Sequence, residues 1–129
     1  MHGVTITELI EKMNLRNSTP QIDTDKIVLT HPDVNRPALQ LTGFFDHFDR
    51  ERVQIIGYVE YTFLEKMTDE DKKKRIYETL LSYKIPCLIF CRNLPPEKML
   101  LEMAEKANIP VFQTEKKTSE FTAEIIRWL

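Results

Sequence analysis

The stretch Asp33-Val34-Asn35-Arg36-Pro37 gathers the side chains best suited to binding chemistry. Arg36 offers a fixed positive charge and a planar fork of donors that matches carboxylate or phosphate. Pro37 suits the first position of a helix, where its missing N–H costs nothing. The free N–H groups of such a first turn attract anions. Asp33, Asn35 and Arg36 are therefore candidate ligand-binding residues for an anionic ligand. The competing explanation is local: Asp33 and Asn35 only cap and shape the turn. A few residues later come Phe44, Phe45 and Phe48. They are either core or a docking patch, which makes Phe44 and Phe45 candidate interaction-surface residues.

The other reactive side chains have simpler explanations. Cys87 and Cys91 sit in Pro86-Cys87-Leu88-Ile89-Phe90-Cys91, which reads as a buried strand. Four residues of strand span about 13 Å. A disulfide needs Cα atoms within roughly 7 Å. The spacing excludes a disulfide and also a shared zinc ion. Buried reduced thiols are expected, with a reactive Cys91 at the strand end as the alternative. His2, His31 and His47 are scattered. His2 belongs to a frayed terminus, and His31 and His47 to loops with surface or capping roles. Lys72-Lys73-Lys74-Arg75 follows three acids on one helix, so a solvated, partly neutralised face is expected rather than an anion or partner contact. Met99 and Met103 read as core filler rather than a docking surface.

Arithmetic removes several function classes. The chain has 129 residues, the size of one domain. Its 18 basic and 20 acidic residues give a net charge of −2, which argues against nucleic acid and polyanionic surfaces as partners. It contains three glycines, Gly3, Gly43 and Gly57. A glycine-rich phosphate loop needs several within a few residues, so no such loop is present. H-E-x-x-H, C-x-x-C and G-x-S-x-G are absent as well. No apolar run approaches the ~20 residues of a membrane span. The N-terminus has no basic region followed by an apolar core, so a cytoplasmic, soluble domain without a signal peptide is expected.

The elements that must position these residues alternate. Thr5 and Glu8 fit a capping box for a helix over residues 6 to 14. Lys26 to Thr30 reads as a strand. Only a short helix fits between Pro37 and Gly43, the latter a left-handed stop. Arg52 to Gly57 reads as a second strand. Val59, Phe63, Leu64 and Met67 form a helical stripe. Thr68 caps the next helix, whose buried face is Ile76, Tyr77, Leu80 and Leu81. Cys87 to Cys91 follows as a strand. A helix opening at Pro95-Pro96 carries Met99, Leu100, Met103, Ala104 and Ala107. Val111 to Thr114 is the last strand, and Thr118 or Ser119 caps a final helix. The strand–helix–strand unit from Cys87 to Thr114 must be parallel. The fold class is α/β: a three-layer sandwich with a small, mostly parallel sheet. The loop after Leu29 then falls at the carboxyl end of that sheet, where ligands bind.

The segment Asp33-Val34-Asn35-Arg36-Pro37-Ala38-Leu39-Gln40-Leu41-Thr42-Gly43-Phe44-Phe45-Asp46 resembles the N-R-P-x-L-x-L-x-G-[FY]-[FY] signature of the N-terminal domain of HPr kinase/phosphorylase. Arg52 to Gly57 with Glu60, Phe63 and Leu64 is similar to that family's next strand and helix. Pro86 to Phe90, Leu94 to Glu97, Asn108 to Val111 and Thr118 to Leu129 extend the likeness over nearly the whole chain. Ala38 replaces a common glycine, and Tyr58 stands where the family pattern has asparagine. The resemblance implies a fold like the small α/β domain that begins the Mur ligases. It implies an accessory or regulatory N-terminal domain, residues 1–129, without catalytic or metal-ligating residues of its own. The parent enzyme would phosphorylate a serine of the phosphocarrier HPr with ATP or pyrophosphate, and remove it by phosphorolysis. That chemistry would use ATP and Mg²⁺ in a C-terminal domain, in a homohexamer serving bacterial carbon catabolite control. The partners implied are that catalytic domain, HPr and further copies of the chain. A free-standing sensor of an anionic sugar phosphate or nucleotide sugar, or a protein-interaction module, are the alternatives.

Overall fold

The computed structural model describes residues 3–129, so the expectation for His2 lies outside the described residues. In chain order the elements are β1 (Val4–Thr5), α1 (Ile6–Met13), β2 (Arg16–Asn17), β3 (Val28–Leu29), β4 (Val34–Asn35), β5 (Val53–Ile56), α2 (Tyr58–Glu65), α3 (Glu70–Ser82), β6 (Leu88–Phe90), α4 (Lys98–Ala107), β7 (Val111–Gln113) and α5 (Thr118–Trp128). Short 3-10 turns occupy Thr24–Lys26 and Gln40–Thr42.

The α1 start follows its sequence signal. The Thr5 hydroxyl accepts the Glu8 N–H at 3.1 Å, and the Glu8 carboxylate accepts the Thr5 N–H at 3.1 Å. Two of the helix's orphan donors are thereby satisfied. Asn14 closes the helix in the left-handed conformation, with φ 53°.

Five strands form the main sheet in the order β2–β7–β6–β5–β4. β4, β5, β6 and β7 run parallel, and β2 pairs antiparallel with β7 at one edge. Alternate residues of the central strands face opposite sides. Cys87, Ile89, Cys91, Ile55 and Phe112 pack against Leu9 of α1 and Phe121 and Ile125 of α5. Leu88, Phe90, Ile56 and Val111 pack against Leu64 of α2, Ile76 and Leu80 of α3, and Leu100 and Ala104 of α4. Both faces of the sheet are covered, which explains its continuous apolar strands. The crossovers from β5 to β6 and from β6 to β7 share one face, whereas the chain leaving β7 goes to the other.

Several boundaries differ from expectation. β3 is not part of the parallel sheet. It pairs antiparallel with β1 in a separate two-stranded ribbon, so the loop after Leu29 does not start at the sheet's carboxyl end. Val34–Asn35, expected as loop, is instead an edge strand beside Val53–Gln54. Between Pro37 and Gly43 there is no α-helix, only the turn Gln40–Thr42, although Gly43 does stop it at φ 99°. Asp69, not Thr68, caps α3, its carboxylate accepting the Lys72 N–H at 3.1 Å. Lys117 precedes α5, and neither Thr118 nor Ser119 caps it. α4 starts at Lys98, because the Pro95-Pro96 segment stays outside the helix. The apolar stripe expected of α2 divides: Leu64 is buried and Met67 packs against the core, but Val59 is 69% exposed and Phe63 is exposed, while Glu60 turns inward.

Candidate functional site

The carboxyl end of the sheet is built around one ion pair. Arg36 directly follows β4, and Glu60 stands in the first turn of α2. The Arg36 guanidinium donates to both carboxylate oxygens of Glu60, Nη2 lying 2.9 Å from Oε1 and 2.8 Å from Oε2, and Nε 3.1 Å from Oε1. The Glu60 side chain is 3% exposed and that of Arg36 is 44% exposed. The same Glu60 oxygen accepts the Gly57 N–H at 2.7 Å. Glu60 therefore satisfies a free donor at the helix start and neutralises a cation with one carboxylate.

Gly57 has no side chain because there is no space for one. A Cβ there would lie 2.6 Å from the Thr118 Oγ1 and 2.7 Å from the Arg36 Nη2. The starts of α2 and α5 and the Arg36 fork thus meet over one glycine. Cys91 lies beneath them. Burial raises its thiol pKa, outweighing the Thr118 hydrogen bond and the Arg36 charge, which act in the opposite direction. Cys87 is fully buried, and burial raises its pKa too. Both cysteines are unlinked and buried, as expected, and Cys91 has the character of an inert thiol rather than a nucleophile. The Arg92 guanidinium sits 5.8 Å from the Tyr58 ring centre at the rim.

The sequence-predicted residues are spread along this edge. Asn35 donates its amide to the Gln54 side-chain oxygen at 2.7 Å. Gln54 is wholly buried and donates in turn to the Asp49 and Arg52 carbonyls, at 2.9 Å each. Asp33 accepts the Val34 N–H at 2.8 Å and lies 3.7 Å from Arg52. Asp33 thus takes a local turn-shaping role, Asn35 is a strand residue bonded across to the neighbouring strand rather than a cap, and Arg36 is paired with Glu60. Phe45 stacks on Tyr83 at 5.3 Å and meets Phe48 edge-on, so it belongs to a partly buried aromatic cluster. Phe44 points away and is 50% exposed. The His31 ring nitrogen accepts the Asp33 N–H at 3.2 Å. His47 occupies a left-handed turn at φ 60°.

The basic run is only partly a solvated face, because Lys73 is buried. Its ammonium group donates to both Glu97 oxygens, at 3.2 and 3.3 Å. Tyr77 donates its hydroxyl to the same carboxylate at 2.5 Å. Burial and that hydrogen bond raise the Tyr77 pKa far above its ordinary value. Tyr61 donates to the Pro95 carbonyl at 2.7 Å, so two helices fasten the loop that leads into α4. Sequence reasoning missed this network. It also missed the role of Glu60, for which a signal existed: a glutamate three residues after a helix-starting Gly57 is a capping pattern. Among the described residues, no group of three or more His, Cys, Asp or Glu side chains is arranged to hold a metal ion. None of their helices is long and apolar enough to cross a membrane.

Fold and site together define a small α/β domain with a mostly parallel sheet whose carboxyl edge is braced by the Arg36–Glu60 pair. The chain belongs to the HPr serine kinase N-terminal family: the family model described as "HPr Serine kinase N terminus" matches residues 4–129. It is 53% identical over its full length to an HPr kinase/phosphorylase from Lachnoclostridium phytofermentans. It is 39% identical over 127 residues to one from Clostridium perfringens. The chain covers 41% and 40% of those proteins, so it spans about two-fifths of the length of these relatives. Among solved structures, the CBS and DRTGG domains from the regulatory region of a Clostridium perfringens pyrophosphatase, complexed with the activator diadenosine tetraphosphate, superpose with a TM-score of 0.66. The sequence identity there is 18%, covering 97% of this chain and 47% of that one, so the likeness is one of fold.

Proposed function

We propose that this chain is the N-terminal, non-catalytic accessory domain of a bifunctional HPr kinase/phosphorylase. The observation that carries the reading is the family match over residues 4–129, on relatives more than twice as long. In this reading the remaining three-fifths of the protein holds the ATP and Mg²⁺ chemistry, binds the phosphocarrier HPr and assembles the oligomer, in the cytoplasm. The Mur-ligase-like likeness of the domain belongs to the same reading. Support for a regulatory role comes from the similar fold in the regulatory region of the pyrophosphatase. The native reading frame tests it. Continuation past Leu129 into a G-x-x-x-x-G-K-[ST] segment is expected, and a stop codon directly after Leu129 overturns it. A kinetic test is independent of the gene: the 129-residue chain alone transfers no phosphate from ATP to HPr, whereas the full-length protein does.

A second reading is an interaction module, favoured by the exposure of Phe44 next to that of Leu39. Phe44→Ala in the full-length protein then weakens subunit or domain association without lowering the domain's melting temperature. The sensor reading at Asp33, Asn35 and Arg36 needs an anion to displace Glu60 from Arg36. Calorimetric titration of a small phosphate, with Arg36→Ala as control, tests it.

A further inference from the structure

At the carboxyl end of the sheet, β6 and β7 are neighbours whose outgoing chains part. The chain after β6 leads to α4 on one face, and the chain after β7 leads to α5 on the other. Between such diverging connections an open parallel sheet leaves a crevice, the usual place for a ligand. A pocket of about 380 Å³ lies at this end, lined by Asn93 after β6 and by Gln113 to Lys116 at the end of β7. That volume suits a small metabolite.

Its walls carry a distinct chemistry. Lys12, Arg16 and Lys116 line it, against a single acid, Glu115. Lys116 is paired with Glu124. Lys12 and Arg16 make no ion pair and no side-chain hydrogen bond among the described residues. Lys12 lies in the last turn of α1, where the helix dipole offsets part of its charge, so Arg16 is the principal free cation. The amides of Asn14 and Asn93 also line the pocket and are likewise uncommitted.

The frame of the pocket is held firmly. Arg92 and Asn93 are consecutive left-handed residues, at φ 57° and 54°. The Asn93 N–H donates to the Thr114 carbonyl at 2.8 Å, and the Arg92 N–H to the Lys116 carbonyl at 2.9 Å. The Gln113 amide donates to the Asn93 and Leu94 carbonyls at 3.1 Å each. The loops after β6 and β7 are thus tied to each other before any ligand arrives, which lowers the ordering cost of binding.

We infer that this crevice binds a small phosphate ester bearing hydroxyl groups. Arg16 and Lys12 take the phosphate, and Asn14 and Asn93 take hydroxyls. Arginine is the residue type best fitted to phosphate oxygens, and side-chain amides pair readily with hydroxyls. The site lies apart from the Arg36–Glu60 pair and does not depend on the enzyme to which the domain belongs.

The test is an NMR titration of the 129-residue chain with glycerol 3-phosphate, inorganic phosphate and, at matched ionic strength, chloride. Saturable shifts at the backbone amides of Asn14, Asn93 and Thr114 are expected with the ester, and weaker binding with inorganic phosphate. Arg16→Gln weakens the ester by about tenfold, as loss of a charge-assisted contact does. Lys12→Gln acts in the same direction, and Arg16→Lys is intermediate. Both positions are exposed, and unchanged melting temperatures show that the variants fold. Shifts reproduced by chloride, or binding untouched by the Lys12→Gln/Arg16→Gln double variant, overturn the site. Equal affinity for inorganic phosphate and the ester overturns the assignment of hydroxyls to the amides.

Discussion

At the scale of single residues, one carboxylate does more structural work than any motif residue. Glu60 takes the Arg36 fork and the Gly57 N–H at once. Removing it leaves a half-buried guanidinium and a buried N–H without partners. Breaking such a pair from one side is far more costly than the net worth of the pair. Glu60→Ala is expected to destabilise the domain by about 3 kcal/mol. Arg36→Ala is expected to cost at least as much. It leaves the 3%-exposed Glu60 carboxylate as a buried charge with only the Gly57 N–H as partner, whereas the Arg36 fork freed by Glu60→Ala can hydrate on its exposed side. Chemical denaturation of the two variants checks the order, and a clearly smaller loss for Arg36→Ala than for Glu60→Ala would contradict it. The Asn35-Arg36-Pro37 signature was legible as special. Its role was not, because the partner is twenty-four residues away and a single sequence does not show which carboxylate folds onto a guanidinium. Lys73 was illegible for a related reason. In a run of four basic residues, helix geometry alone decides which one turns inward, and Glu97 then makes that burial tolerable.

At the scale of elements, legibility followed length and self-sufficiency. α1 was found with its cap, since a capping box is a local pattern. Thr5→Ala is therefore expected to cost about 1 kcal/mol, read as a lower unfolding midpoint with an unchanged slope. The two-residue strands β1, β2 and β4 were missed, because so short a strand exists only through its neighbour. The outward face of α2 was misread, because an apolar stripe there competes with Glu60, which the ion pair pulls inward. Contact between elements also explains Gly57. Its backbone is ordinary, and the constraint is proximity: Thr118 of α5 and the Arg36 fork lie 2.6 and 2.7 Å from where a Cβ would stand. Gly57→Ala is expected to destabilise by about 1–3 kcal/mol through overpacking. Thr118→Gly should recover part of the loss, because it removes the nearest clashing atom. A double-mutant cycle measures the recovery, and strict additivity would show that the crowding is not shared.

At the scale of the whole molecule, both faces of the sheet hold acidic groups kept neutral by burial. Cys87 and Cys91 lie on the face covered by α1 and α5, and Tyr77 on the face covered by α3 and α4. Their pKa values, and that of Tyr61, are raised in the folded state above the ordinary 9.0 for cysteine and 10.0 for tyrosine. Burial is the leading cause at each, joined at Tyr77 by the hydrogen bond to Glu97. The unfolded chain therefore loses these protons first as pH rises. The stabilisation is complete below about pH 9 and is lost as pH climbs past the unfolded values, at up to about 1.4 kcal/mol per pH unit for each of the buried groups Cys87, Cys91 and Tyr77. Because the central strands β5, β6 and β7 contribute to both cores, the domain should respond as one cooperative unit rather than shed one layer. Urea unfolding followed by circular dichroism and by Trp128 fluorescence from pH 7 to 11 tests this. Coincident transitions are expected, with a midpoint flat to about pH 8.5 and falling above it. Tyr77→Phe lowers the midpoint at neutral pH through the lost bond to Glu97, yet makes the fall above pH 10 shallower. A midpoint that stayed constant to pH 11, or two separated transitions, would contradict the picture of one sheet tying both buried sets together.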